Sequence, residues 1–454
     1  MRNGLPGQHR GRGAAPRWSG LVGVAVVSTF TIAGCRMDGV DSDGSVTFTL
    51  SAEVRTPSQV NLSWTPHPGP VTDYAVIRTR NGVLAPRGGG PGTQLWDFNL
   101  DPSTEYCYIV YAQLFPVGTV GRSNQVCVRT YDTAPWSIED VGTPTIAAMA
   151  LDLAGKVHLS YRDATGLDYA TNASGRWVRV RVDSAAGPHG GSSITVDASG
   201  AIHISYYDDT NGGLKYATNA SGSWALSTIQ STGGWASAIA VDGSGRIHIA
   251  YSAGSAAGVD RNALWYTRSG AWDETFLSGF SEPIESISLA LDGAGKVHIA
   301  YAVGGGLCAI RYVTNLSGAW TDAVIDDAAL CGTSVAVDAE GRAHIAYMDS
   351  FELVHATNAT GSWTAASLDR LDWIGGKDVG ITLDAAGNVH LSYQDHNADL
   401  KYATDASGAW QSYYIDSRGN VGAYNTVKID AAGTVHITYY DETRGTLKHA
   451  TGHA

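Results

Sequence analysis

Seven histidines stand at nearly equal intervals along this chain, each in the same local context. They are His158, His203, His248, His298, His344, His390 and His436, and successive members are 45 to 50 residues apart. Each follows an Asp-x-x-Gly sequence and precedes an aliphatic residue, a small residue and Tyr. Histidine is a common general acid, general base and metal ligand near neutral pH. Because active sites rarely occur in seven equal copies, we predict buried, hydrogen-bonded structural histidines.

Residues that differ between the repeats are better candidates for a binding site. Aromatic rings beside carboxylates suit a sugar or peptide, since they combine a flat apolar surface with directional acceptors. We predict a ligand-binding role for six residues in the variable loops: His189, Trp235, Trp373, Asp208, Asp395 and Asp441. The alternative for Trp235 and Trp373 is packing against the rim of the repeat domain.

The sequence predicts no catalytic residue and no metal ligand. Asp395, Asn397 and Asp399 form an Asp-x-Asn-x-Asp run that is compatible with calcium, but the rest of an EF-hand loop is missing. A serine nucleophile elbow and a Cys–His pair are not visible. Five arginines share no position within the repeats: Arg162, Arg261, Arg311, Arg418 and Arg444. We therefore expect no cofactor, with calcium as the weaker alternative, and a protein that is not an enzyme.

The elements around the histidines read as short strands separated by glycine-containing turns. In the second repeat the predicted strands are 193–196, 202–207, 214–218 and 224–229. Four strands in a unit of this length resemble one blade of a β-propeller. The whole of 132–454 resembles the seven-bladed, loosely sialidase-like propellers of bacterial secreted proteins. The Asp-box of that family, Ser-x-Asp-x-Gly-x-Thr-Trp, is absent, so its chemistry is not carried over.

The two ends of this repeat domain complement each other. The seventh repeat stops after residues 447–451 and lacks a fourth strand, while Trp136 opens a segment that aligns with the fourth strands at Trp224 and Trp410. We predict that the Trp136 strand completes the last blade and closes the ring, which leaves no open sheet edge.

Residues 46–131 read as a separate all-β domain. Trp64 lies in one predicted strand, and a Leu-x-Pro-x-Thr-x-Tyr run covers Leu100 to Tyr106. These features resemble a fibronectin type III domain, and the resemblance implies a sandwich with a Tyr106 hydroxyl bonded back to nearby backbone. We expect this domain to act as a spacer; the alternative is a binding domain in its own right.

Four of the five cysteines form two candidate disulfides. If Tyr106 and Tyr108 face inward, Cys107 faces outward, and Cys127 faces outward on the neighbouring last strand. Cys308 and Cys331 fall on one face of the propeller, one blade boundary apart, and can also be bridged.

The fifth cysteine ends a segment that resembles a bacterial lipoprotein signal. Residues 1–34 contain four arginines and then an apolar stretch that ends in Ile-Ala-Gly before Cys35. The resemblance implies lipidation of Cys35, a tether over 35–45, and an exported protein held at the outer membrane or cell surface. An ordinary signal peptide or an uncleaved anchor is the alternative.

Charge and hydrophobic content indicate which kinds of function suit this chain. A formal net charge of −13 disfavours nucleic-acid binding, and 44% hydrophobic residues indicate a folded chain. We expect a lipid-anchored, monomeric recognition protein whose propeller face binds glycan or protein. The alternatives are a structural envelope scaffold or a sialidase-like polysaccharide hydrolase or lyase.

Overall fold

The computed structural model describes residues 46–98, 100–131, 136–142, 146–163, 165–184, 191–254, 262–349, 352–370 and 378–453. Over these residues the chain forms 35 β-strands joined by turns, with no helix. The predicted all-β class is therefore confirmed. The signal segment 1–34, Cys35, the tether 35–45, His189 and Trp373 lie outside the described residues.

Residues 46–131 form two antiparallel sheets that share one core. The first sheet has the order β1-β2-β5, and the second has the order β4-β3-β6-β7 with β8 also paired to β6. The strands are β1 (Leu50–Thr56), β2 (Gln59–Trp64), β3 (Asp73–Arg80), β4 (Val83–Gly90), β5 (Gln94–Asp97), β6 (Glu105–Leu114), β7 (Gly118–Arg122) and β8 (Val126–Arg129).

The core between these sheets uses the residues that the sequence suggested. Trp64 from β2 packs with Val76 from β3 and Tyr108 from β6, and all three are buried. Tyr106 Oη accepts a hydrogen bond from the backbone N–H of Asp101 at 2.9 Å. This is the hydrogen bond back to nearby backbone that the Leu-x-Pro-x-Thr-x-Tyr run predicts.

The remaining chain begins with β9 (Ser137–Gly142) and then builds successive groups of antiparallel strands, here called units 1 to 7. Unit 1 contains β10 (Ala147–Leu151), β11 (Val157–Asp163), β12 (Gly166–Thr171) and β13 (Val178–Asp183). Unit 2 contains β14 (Ser192–Val196), β15 (Ile202–Asp208), β16 (Gly213–Thr218) and β17 (Ala225–Gln230). Unit 3 contains β18 (Ser237–Val241), β19 (Ile247–Ala253), β20 (Ala263–Arg268) and β21 (Glu274–Gly279).

Units 4 and 5 share one long strand. Unit 4 contains β22 (Ile284–Leu291), β23 (Val297–Val303), β24 (Cys308–Thr314) and the first part of β25 (Thr321–Val337). Unit 5 contains the second part of β25, then β26 (Ala343–Asp349), β27 (Glu352–Thr357) and β28 (Thr364–Arg370). Unit 6 contains β29 (Val379–Leu383), β30 (Val389–Gln394), β31 (Leu400–Thr404) and β32 (Gln411–Asp416).

Unit 7 takes its fourth strand from the start of the region. It contains β33 (Val421–Ile429), β34 (Thr434–Asp441) and β35 (Thr446–His453), and β9 pairs antiparallel with β35. The predicted pairing of the Trp136 segment with the last repeat is therefore confirmed. Gly452 leaves room for it, because a Cβ there would lie 2.7 Å from the Trp136 ring.

Neighbouring units contact each other through their first strands. The first strand of each unit contacts the first strand of the next, and β33 of unit 7 contacts β10 of unit 1. An aromatic ring on each third strand packs against the Trp before the fourth strand of the following unit. All seven such pairs have centroid distances of 5.0–5.7 Å, ending with Tyr402–Trp136 and His449–Trp177. The region therefore has a β-propeller-like fold.

Both candidate disulfides are present. Cys107 and Cys127 face each other in register between β6 and β8, and Cys308 is bonded to Cys331. Disulfides persist in oxidising compartments, so they indicate an extracellular or periplasmic protein. None of the described residues forms a helix with the length and apolarity needed to span a bilayer.

Candidate functional site

The repeat histidines are buried within the sheets, and each Nδ1 is hydrogen-bonded to a side chain of the third strand. Nε2 of His298, His344 and His390 has no hydrogen-bond partner among the described residues. In unit 1, His158 Nδ1 lies 2.6 Å from Tyr169 Oη, and Nε2 lies 3.3 Å from Asp152 of the Asp-x-x-Gly turn. A neutral imidazole can accept from the tyrosine and donate to the carboxylate. Burial lowers the pKa of His158, although Asp152 opposes the effect. The histidine therefore joins its turn to the third strand and is structural.

Two units replace the tyrosine of this arrangement with a second histidine. His344 Nδ1 lies 3.0 Å from His355 Nε2 in unit 5, and His436 Nδ1 lies 3.1 Å from His449 Nε2 in unit 7. Burial, together with the neighbouring His344, lowers the pKa of His355 to about 4. These pairs are therefore neutral at pH 7.

Ion pairs between lysine and aspartate recur at several unit boundaries. They lie near the ends of the second strands, away from the repeat histidines at the starts of those strands. At the boundary of units 6 and 7, Lys448 Nζ lies 2.9 Å from Asp416 and 2.7 Å from Asp441. Tyr439 Oη also donates to Asp416, at 2.8 Å. The equivalent ion pairs at the boundaries of units 1 and 2 and of units 5 and 6 are Lys215–Asp183 and Lys401–Asp369. These ion pairs connect adjacent units, and removal of one partner would leave an uncompensated buried charge.

The three carboxylates predicted to bind ligand belong to this arrangement or to its turns. Asp208, Asp395 and Asp441 occupy equivalent positions at the end of the second strand and are at most 3% exposed. Asp208 accepts from its own turn at Asn211, and Asp395 accepts from the N–H groups of its turn. The structure places them in three different units and does not bring them together into one site.

Of the residues His189, Trp235 and Trp373, which were predicted to bind ligand, the structure describes only Trp235. Trp235 is half-buried, and its ring packs on Tyr207 at a centroid distance of 5.5 Å. Its carbonyl accepts a hydrogen bond from Gly191. These contacts agree with packing on the rim. Ligand binding by Trp235, and by His189 and Trp373 outside the described residues, stays a prediction.

The Asp-x-Asn-x-Asp run lies against the N-terminal sheets. Tyr414 Oη donates to the carbonyl of Arg55 at 3.4 Å, and Asp399 is 2% exposed beside the fully buried Thr56. Burial, reinforced by the charge of Asp395, raises the pKa of Asp399. Among the described residues, no three His, Cys, Asp or Glu side chains are grouped to hold a metal ion. The predicted spacer domain thus contacts the propeller-like region directly.

A cavity of about 390 Å³ lies at the seam where β9 closes unit 7. We call it the seam cavity. It is lined by Pro102 of the N-terminal sheets, Trp136, residues 138–140 and 415–418, and the side chains of Arg444 and Lys448. The cavity therefore combines the closing strand, the end of β32 and the third strand of unit 7.

Charged groups of both signs surround the seam cavity. Arg418 is exposed, and the half-exposed Arg444 donates to Asp441 at 2.8 Å, a hydrogen bond that raises the pKa of Arg444. Asp140 is exposed on the side formed by β9. Ser417 Oγ is buried and has no hydrogen-bond partner within the described residues. The cavity lining thus combines Arg418, Arg444 and Lys448 with the carboxylates of Glu139, Asp140 and Asp416.

A second cavity, of about 280 Å³, is less suited to directional recognition. It lies beside Cys331 and is lined mainly by glycines, Ser286, Glu285 and Asp378. Both of its charged lining residues are acidic, and it has no aromatic lining residue. We therefore take the seam cavity as the candidate site.

The sequence alone did not identify this site. Arg418 and Arg444 lack a common position within the repeats, so spacing did not connect them. They meet because Arg444 turns toward the carbonyl of Arg418 across the boundary of units 6 and 7, at 3.2 Å. The useful signal was the incomplete seventh repeat, since it marks the unit that takes its fourth strand from the start of the region.

No protein-family model matches the chain, and no curated protein matches it. Solved structures resemble it in fold at low sequence identity. A fungal lectin from Aleuria aurantia with a six-bladed β-propeller fold is 14% identical, covers 61% of this chain and 96% of its own, and has a TM-score of 0.43.

Two further solved structures are similar over different shares of the chain. An ulvan lyase, from a family of polysaccharide lyases, is 14% identical over 69% of this chain and 94% of its own, with a TM-score of 0.46. The sixth fibronectin type III domain of a human protein is 21% identical over 20% of this chain and 89% of its own, with a TM-score of 0.19. We draw no ligand from these similarities.

Proposed function

We propose that this protein is a non-enzymatic recognition protein that binds glycan at the seam cavity. The observation that carries the proposal is the meeting of Arg418, Arg444, Asp140 and Trp136 around one cavity of about 390 Å³. Ligand pockets typically occupy about 300–1,000 Å³ and combine apolar walls with a few directional polar groups. The seam cavity has this composition.

The chemistry of the lining groups favours a sugar, and in particular an acidic one. Guanidinium groups form paired hydrogen bonds to carboxylates and vicinal oxygens, and they do so with a fixed geometry. Trp136 supplies an aromatic surface, although its ring also packs edge-on against Tyr402. Two partly exposed arginines are notable on a chain of net charge −13, because its overall field repels anions.

Binding is favoured over glycoside hydrolysis by the present partners of the carboxylates. Hydrolysis needs two carboxyl groups on either side of the scissile bond, and one of them must be protonated to act as the general acid. Asp416 already accepts from Lys448 and Tyr439, and Glu139 lies 2.9 Å from His449 Nδ1. A protein partner that presents a carboxylate would use the same arginines and is the second candidate.

The architecture proposed for this function is a seven-bladed propeller after a fibronectin type III domain. The seven units, the contact of β33 with β10 and the pairing of β9 with β35 support the blade count. The Tyr106 hydrogen bond and the two-sheet core support the fibronectin type III assignment.

We also propose that Cys35 carries the lipid that anchors the protein at the outer membrane or cell surface. The Ile-Ala-Gly-Cys sequence supports this, and the two disulfides agree with an exported protein. Mass spectrometry of the mature N-terminus should find a diacylglyceryl group on Cys35. An unmodified thiol at this position would contradict the anchor.

Replacing both arginines should abolish glycan binding without unfolding the protein. Each charge-assisted hydrogen bond contributes about 1.5–3 kcal/mol, so Arg418→Met with Arg444→Met should weaken binding at least about a hundredfold. Isothermal titration against a panel of neutral and acidic polysaccharides provides the measurement. The matched control is Arg246→Met, which removes an exposed arginine from an Asp-x-x-Gly turn of unit 3.

Three outcomes of this titration distinguish the proposals. Loss of binding in the double variant, with affinity retained in Arg246→Met, supports glycan recognition at the seam cavity. Equal affinity in all three proteins would place the ligand elsewhere. If no polysaccharide binds the unmodified protein, the glycan proposal is wrong and the protein-partner candidate takes its place.

A further inference from the structure

One lysine lies among the innermost strands, where the other units have small residues. Lys428 is on β33 and pairs in register with the repeat histidine of unit 7, His436. The residues that pair with the repeat histidine in the other six units are Ala150, Thr195, Ala240, Ala290, Ala336 and Thr382. Unit 7 therefore introduces a single cation into a ring of alanines and threonines.

By strand geometry, the side chain of Lys428 is directed toward the next unit. Side chains alternate along a strand, so Lys428 shares its face with the residue two positions earlier. In units 2 and 4 that earlier residue is Ser193 or Ser288, whose Oγ accepts a hydrogen bond from the first strand of the next unit. By the same geometry Lys428 faces β10 of unit 1. It is half-buried, whereas its neighbour Val427 is buried.

Lys428 has no anionic partner among the described residues. Three lysines on other strands of the units behave differently, since Lys215, Lys401 and Lys448 are each ion-paired with an aspartate. The nearest carboxylate along the chain, Asp430, instead accepts from the amides of its own turn. Consistent with this isolation, burial alone lowers the pKa of Lys428.

The cross-strand neighbours of Lys428 supply no negative charge either. His436 lies opposite it, and burial lowers the pKa of His436, so this ring is neutral at pH 7. His449, which contacts His436, is neutral for the same reason. An ammonium group without a paired charge attracts a counter-ion, and it does so more strongly where partial burial reduces its contact with water.

We infer that Lys428 forms a binding site for one small monovalent anion, such as a halide or a carboxylate, at the inner edge of units 7 and 1. One ammonium group balances one negative charge. A dianion such as sulfate would leave an uncompensated charge beside alanine side chains. The site is separate from the seam cavity and does not depend on the proposed glycan binding.

Bromide is a suitable probe because it scatters X-rays anomalously. Crystals of the protein soaked in sodium bromide should show an anomalous peak within about 3.5 Å of Lys428 Nζ. The Lys428→Thr variant adopts the residue of units 2 and 6 and should lose this peak, while bromide peaks elsewhere persist. Lys428→Ala, the residue of the other four units, serves as a second variant if the first folds poorly.

A solution measurement then distinguishes a built site from an adventitious ion only. Sodium bromide and sodium acetate should each raise the melting temperature of the unmodified protein saturably beyond their effect on Lys428→Thr, because a ligand of the native state stabilises it. Sodium sulfate at equal ionic strength should show no such difference between the two proteins. No peak at Lys428, or identical salt responses in both proteins, would overturn the inference.

Discussion

Acidification from pH 7 to pH 4.5 should lower the melting temperature of this protein by about 10 °C or more. Burial lowers the pKa of eight histidines in the repeat units, and that of His355 falls from 6.5 to about 4. The unfolded chain therefore binds more protons than the folded one between these values. Stability is complete above pH 6.5 and is lost as the pH falls toward 4, by up to about 1.4 kcal/mol per pH unit for each histidine.

The repeats themselves provide the control for this result. His355→Tyr combined with His449→Tyr restores the tyrosine that five units carry at the same position. Melting temperatures measured by calorimetry between pH 4 and 7 should fall less steeply in this double variant than in the original protein. Identical slopes would mean that the paired histidines are not neutral in the folded state.

Loss of Trp136 should open the propeller-like ring. The Trp136→Ala variant leaves a cavity against Tyr402 and weakens the attachment of β9, so it should cost about 3 kcal/mol or more. Denaturant titration measures this loss. Limited proteolysis should then cut the segment between the N-terminal sheets and β10, because β9 no longer stays paired with β35.

The matched control for this variant is Trp272→Ala. Trp272 makes the same contact in unit 3, with Tyr216 at 5.4 Å, but the strand that follows it is continuous with its own unit. It should lose stability without new cleavage near β10. If both variants gave the same cleavage pattern, β9 would not be the element that closes the ring.

Much of the fold could be predicted from the sequence because the same local pattern is repeated. In unit 2 the predicted strands differ from the observed ones by one residue at most at either end. Cys107 and Cys127 both face outward on neighbouring strands, which predicted their disulfide. The last repeat lacks a fourth strand, which predicted that the Trp136 segment supplies it. Such features depend on strand periodicity and on pairing, which the sequence expresses directly.

The candidate site was harder to predict, since it depends on contacts between units. Asp208, Asp395 and Asp441 lie in loops by sequence, which suggested exposure, but they are buried where adjacent units meet. Arg418 and Arg444 come together only across a unit boundary. Lys428 is one residue in a strand of ordinary pattern, and it becomes unusual only when its six equivalents are compared in register.

The proposed binding of a glycan at the seam cavity can be tested directly. The most direct test is hydrogen–deuterium exchange, measured with and without the polysaccharide that binds most tightly. We predict that protection appears in peptides covering residues 136–142, 415–418 and 441–448, and that it is absent from the Arg418→Met, Arg444→Met double variant. Protection confined to other loops, or protection that persists in the double variant, would contradict the claim.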